Sequence, residues 1–215
     1  MTDLVAGRYP LADEQWMLDG QPYPPYRRTC SRSFGAGTFT LITATAYVYP
    51  VVVQAGDIFN YITVIVKTQA TATSSKCWAA LYNGTTSAAT LLSQTPNVTA
   101  GWGTGAQKLQ LNATVANTGT VGTAQGPSTA ASVNSGAAVW GLVLYSVTSG
   151  TGTILDAATV GGDVAGNIAL TGQIPVTQTA TLSSTSTAPS SLGSASYGTL
   201  TAASANVPYA VLSIS

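Results

Sequence analysis

Few side chains in this chain could perform chemistry, and they are widely spaced. Histidine is absent, which removes imidazole general bases, histidine-ligated metals and Ser-His nucleophile pairs. Beyond residue 36 the carboxylates are Asp57, Asp156 and Asp163. Glycoside hydrolysis needs two carboxylates at a set separation, and nothing in this spacing supplies them. Asp57 follows Ala55-Gly56 and reads most simply as a turn residue bonding its own backbone, with a site role as the alternative. Asp156 and Asp163, in LDAATVGGD, could offer oxygens to Ca²⁺, but two carboxylates are a thin donor set for an ion that takes roughly six or more. Cys77 has no base beside it and reads as a small core residue. The loop GWGTG around Trp102 lacks the strand-then-helix context of a phosphate cradle. Its indole is expected to be exposed, with three readings open: it binds sugar, contacts a neighbouring subunit, or caps the core. The expectation is a protein that is not an enzyme and holds no metal or cofactor.

A second group of side chains is suited to binding rather than reaction. Eight of the fourteen charged residues fall before residue 33. That segment also holds Trp16, Tyr23 and Tyr26, with Arg27, Arg28 and Arg32 at its end. Aromatics, Met and Arg are enriched at protein interfaces. Prolines fix φ and remove donors, so QPYPPYRR is expected to be extended, while LADEQWMLD could form one or two helical turns. We read residues 1–36 as an anchoring arm and residues 37–215 as a domain. Trp16, Tyr23 and Tyr26 would be the buried anchors, and Arg27, Arg28 and Arg32 would pair with carboxylates of a partner. The other readings are a disordered tail, a PxxP-type ligand, or an arm folded back to cover a sheet edge of its own domain.

Composition narrows the class further. Hydrophobic residues make up 45% and charged residues only 7%, against about 25% charged in ordinary soluble domains. Such a chain can bury a sizeable core, and its surface is wetted by Ser, Thr and backbone. Weak electrostatic protection against association leads to an expectation of homo-oligomers, a trimer first. Net charge is zero, so there is no electrostatic footprint for nucleic acid or an anionic membrane. No apolar run approaches the ~18 residues of a membrane span, and the first residues lack the apolar stretch of a secretory signal. Cys30 and Cys77 are expected to stay reduced.

The elements that must position these residues are strands. GDIFNYITVIVKTQATATSSKCWAALYN contains two runs rich in β-branched and aromatic residues, read as neighbouring strands at the centre of an antiparallel sandwich. In the second run Trp78, Ala80 and Tyr82 point to one face, and Cys77, Ala79 and Leu81 to the other. A single alternating strand is expected from Phe39 to Tyr49, interrupted at Pro50. Leu91-Leu92, residues 108–113, Ala138–Val147, Ile154-Leu155, residues 168–170, 174–176 and 179–182, and Val207–Ile214 complete the set. Residues 117–136 read as a long loop, and SSTSTAPSSLGSAS as a low-complexity stretch. Short strands separated by turn signals predict an all-β fold, an antiparallel, jelly-roll-like β-sandwich carrying the extended N-terminal arm.

The order of CWAALYN, LLSQT, a Trp-bearing loop before QKLQLN, VWGLVLYSV and VPYAVLS resembles a known pattern over about residues 50–215. It is similar to the β-sandwich domain of minor tail and fibre-like virion proteins of tailed bacteriophages, especially those infecting actinobacteria. The resemblance implies a structural, surface-displayed virion component, assembled in the host cytoplasm and attached to other virion proteins of the tail or capsid. A carbohydrate-binding module for a host-surface glycan is the alternative expectation.

Overall fold

The computed structural model describes residues 26–28, 37–53, 57–70, 76–117, 138–148, 152–159, 178–202 and 206–214. Trp16, Tyr23, Cys30, Arg32 and Asp163 lie outside these residues, as do the side chains of Tyr26 and Arg28. So do the helical turns expected before residue 26, nearly all of the long loop after residue 116, and the strands expected at 168–176.

Among the described residues the chain forms strands and no helix, in two antiparallel sheets, so the expected all-β sandwich is the observed fold. The strands are β1 (Tyr26–Arg28), β2 (Gly37–Thr40), β3 (Thr45–Val53), β4 (Ile58–Thr68), β5 (Lys76–Tyr82), β6 (Leu91–Gln94) and β7 (Gly105–Ala116). They continue with β8 (Ala138–Val147), β9 (Ile154–Thr159), β10 (Gln178–Thr181), β11 (Thr201–Ala202), β12 (Asn206–Pro208) and β13 (Ala210–Ser213). The first sheet runs β1-β13-β4-β9-β12, with β7 on the other edge of β4 and β2 beside β9; the second runs β11-β10-β3-β8-β5-β6. β4 and β5 are adjacent in sequence yet lie in opposite sheets, so they face one another rather than pair.

The β-branched and aromatic alternation of β3, β4, β5 and β8 places one row of each between the sheets. Tyr47, Tyr49, Val51 and Val53 from β3, Leu142 and Leu144 from β8, and Cys77, Ala79 and Leu81 from β5 meet Phe59, Ile62, Val64 and Val66 from β4. Phe59 and Ile62 are both buried although they are three positions apart. The ladder with β7 breaks between them, Phe59↔Val115 being followed by Tyr61↔Gln110, so the strict alternation of β4 does not run through Asn60. At the centre of β8, Gly141 has no room for a side chain: a Cβ there would lie 2.4 Å from the Gly84 carbonyl oxygen.

The strand expected from Phe39 to Tyr49 is two strands in different sheets. Leu41–Ala44 carries the chain across, closed by the Thr45 N–H donating to the Ile42 carbonyl (3.2 Å) and by Ala44 at φ 54°. Pro50 does not interrupt β3; it pairs with Gly141 inside the strand. The β10 ladder on the other edge ends at Val48, so a residue without an N–H is tolerated there.

The expected strand 207–214 is also two. β12 runs along β9 (Asn206↔Thr159 to Pro208↔Ala157), and β13 runs along β4 (Ala210↔Val64 to Ser213↔Tyr61). The two registers lead away from Tyr209 in opposite directions, so the chain forms a V filling the fork where β4 and β9 part. Tyr209 donates its N–H to the Asp156 carbonyl at the vertex (2.9 Å).

Candidate functional surface

β1 brings residues of the expected arm into the first sheet. Tyr26, Arg27 and Arg28 pair with Ser213, Leu212 and Val211. Leu212 is buried, and residues directly opposite share a face, so Arg27 leaves the sheet on its inner side. There its Nε donates to Asp57 Oδ2 (2.7 Å) and its Nη2 to Oδ1 (2.9 Å). The two side chains are only 13% and 15% exposed. This fork-to-fork geometry is the strong, directional form of the ion pair. Asp57 also fixes the end of β7, because its carbonyl accepts the Asn117 N–H (2.8 Å).

Two expectations change here. Arg27 was expected to reach a carboxylate of a partner, but its guanidinium is already held by Asp57. Asp57 was read as a turn residue serving its own backbone, and its carboxylate instead receives a side chain 30 positions away. The signal that could have joined them was the scarcity of carboxylates itself.

Two further lysines among the described residues are similarly engaged. Lys67 Nζ lies 3.0 Å from Asp156 Oδ1, and Lys108 sits over the Tyr61 ring at 4.2 Å from its centroid, a cation–π contact. No group of three or more metal-ligating side chains occurs among the described residues.

Trp102 corrects the sequence expectation directly. Its indole is 1% exposed and belongs to the core between the sheets, so of the three readings only core packing stands. After β6 the chain continues along the edge of β5: Thr95 N–H donates to Ala79 C=O (2.9 Å) and Val98 N–H to Cys77 C=O (2.8 Å). Asn97 Oδ1 receives the Cys77 N–H (2.9 Å). Gly101, at φ 73°, then turns the backbone so that the indole points inward. The flanking glycines suggested an open loop but serve this inward turn. Cys77 lies in the same core, where burial pushes its thiol from 9.0 up to about 12, against the opposing effect of the Trp102 backbone and Ser146 hydroxyl. It is a protonated thiol at neutral pH, not a nucleophile.

The feature that the sequence conceals is a second core on the outside of the second sheet. Trp78, Tyr82, Val143, Tyr145, Ala46 and Val48 form it from the strands. Leu182, Ala188, Leu192 and Tyr197 cover them from above, and these residues belong to or flank the stretch read as low complexity. The cover is held by strand side chains donating to its backbone. Trp78 Nε1 reaches Thr185 C=O (3.0 Å), Tyr82 OH reaches Pro189 C=O (2.7 Å), and Tyr145 OH reaches Ser183 C=O (3.2 Å). In the reverse sense, Gln94 Oε1 accepts the Ala188 N–H (2.6 Å). The Tyr82 and Tyr197 hydroxyls meet at 3.0 Å.

The second sheet is thus buried on both faces, whereas the outer face of the first, with Tyr61, Thr63, Ile65, Lys108 and Gln110, is only partly buried to exposed. No protein-family model matches the chain, and no curated protein matches it.

Proposed function

We propose that this protein is a structural component of a tailed-bacteriophage virion: a displayed β-sandwich attached to a neighbouring virion protein through the segment preceding β1. The observation that carries the reading is the way β1 is fastened. Its backbone pairs with β13 and its Arg27 grips Asp57, so a pull on the preceding segment passes into the sheet instead of a loose linker. The reading is further supported by its strand resemblance to phage tail and fibre-like domains, and by side chains committed to two cores rather than to reactive constellations. The glycan-binding alternative has lost Trp102, the aromatic it relied on. The test is deletion of residues 1–25, leaving β1 in place. We expect the truncated chain to fold and to be missing from purified particles. Normal incorporation would overturn the attachment, and a full-length chain found only free in the lysate would overturn the virion role.

A further inference from the structure

The chain enters β1 and leaves β13 at the same pole of the first sheet. β1 pairs antiparallel with β13, Tyr26 opposite Ser213, and β13 pairs antiparallel with β4, Ser213 opposite Tyr61. β9 and β2 continue the alternation, so β1, β4 and β2 all run the same way. Thr40, the last residue of β2, lies opposite Ile154, which lies opposite Thr68. Tyr26 therefore stands level with Tyr61 and Thr40 level with Thr68, a separation along β4 of about 23 Å at the rise of an extended strand. The exposed Ile42, in the turn that follows β2, marks the pole opposite the entry to β1.

β1 is fastened by few groups. Three residue pairs join it to β13, the Arg27–Asp57 pair ties it to the start of β4, and among the described residues no other strand pairs with it. The ladder bonds of an antiparallel pair lie perpendicular to the strands. Load drawn along the strands strains all three pairs and the ion pair together. Load that draws Tyr26 away from Ser213 opens the pairs one at a time from that end. We propose that β1 is a direction-selective latch. It holds when the body is loaded from the Ile42 pole against the segment before β1, and it lets go when that segment is pulled against the chain leaving β13. A body tethered by the segment before β1 thus resists drag on its far pole, yet is released from the tether by a partner that grips the end of β13. The device lies in the ladder itself and does not depend on the virion reading.

Stretching single full-length chains at constant force tests it. One handle sits on the N-terminus, and the other on either the C-terminus or Ile42→Cys in a chain also carrying Cys30→Ser. Cys77 is buried and takes no handle. At the same force we expect β1 to hold longer with the Ile42 grip by about five- to hundredfold, the rate equivalent of two further residue pairs opening together. Arg27→Ala is expected to shorten the Ile42-grip lifetime by a similar factor, which identifies the first step as loss of β1. Equal lifetimes in the two grips, a longer lifetime with the C-terminal grip, or a first step that Arg27→Ala leaves untouched would overturn the proposal.

Discussion

Arg27 and Trp102 show how differently a residue of clear type behaves once its surroundings are known. Each is of a kind enriched at interfaces, and each is turned inward here. Replacing Arg27 with Ala leaves the largely covered Asp57 carboxylate without its two charge-assisted bonds. We expect a loss of about 1–3 kcal/mol, with Arg27→Lys recovering only part because an ammonium cannot bridge both oxygens; urea unfolding measures both. Trp102→Ala empties one of the largest side-chain volumes in the core. It is expected to cost about 3–5 kcal/mol, whereas loss of an exposed ligand-binding indole would leave stability nearly unchanged. Indole exposure was not legible in GWGTG, because glycines on both sides signal a turn without giving its direction. Cys77 was legible, since its place in a strict alternation assigned it to a packed face.

At the level of elements, the strands with two apolar rows were readable and the cover was not. KCWAALY and AVWGLVLYSV carry apolar residues on both faces, which is the mark of a sheet buried on both sides. What buries the second face has no periodicity, because side-chain donors reaching backbone carbonyls hold it rather than a ladder. Its serines and threonines therefore looked like filler. β2–β3 and β12–β13 were each read as one strand for a related reason: alternation persists through a change of sheet or a reversal at one residue.

The cover predicts a particular response to alkali. Burial pushes the Tyr82 hydroxyl from 10.0 up to about 12 and raises Tyr145 and Tyr197 as well. Folded chains thus keep protons that unfolded chains release. Stability is full below about pH 9 and falls as pH rises toward 12, by roughly 1.4 kcal/mol per pH unit for each proton so retained. Urea midpoints measured from pH 8 to pH 11 should decline. The Tyr197→Phe variant, with one such hydroxyl removed, should decline less steeply. A flat profile would show that these hydroxyls are not sheltered.

On the scale of the molecule, most successive strands alternate between sheets: β2 to β3, β3 to β4, β4 to β5, each step from β6 through to β10, and β11 to β12. The strand inventory was therefore largely predictable while the pairing was not, since local pattern assigns a residue to a face and not a strand to a neighbour. Such pairing also joins residues far apart in sequence, as in β3 with β8 and β4 with β13. Closing those loops precedes most of the gain, so we expect refolding in about milliseconds to seconds, the slow range for two-state domains. Stopped-flow tryptophan fluorescence would follow it through Trp78, Trp102 and Trp140, all buried; refolding in microseconds would contradict this topology.

The pairing of β1 with β13 has a consequence for the ribosome. The first described strand takes its register from the last, Tyr26 against Ser213, so β1 leaves the exit tunnel long before its partner exists. At roughly 5–20 residues per second the interval is on the order of ten to forty seconds. Throughout it β1 has no strand to pair with, so this edge of the first sheet can close only after the last strand has been made.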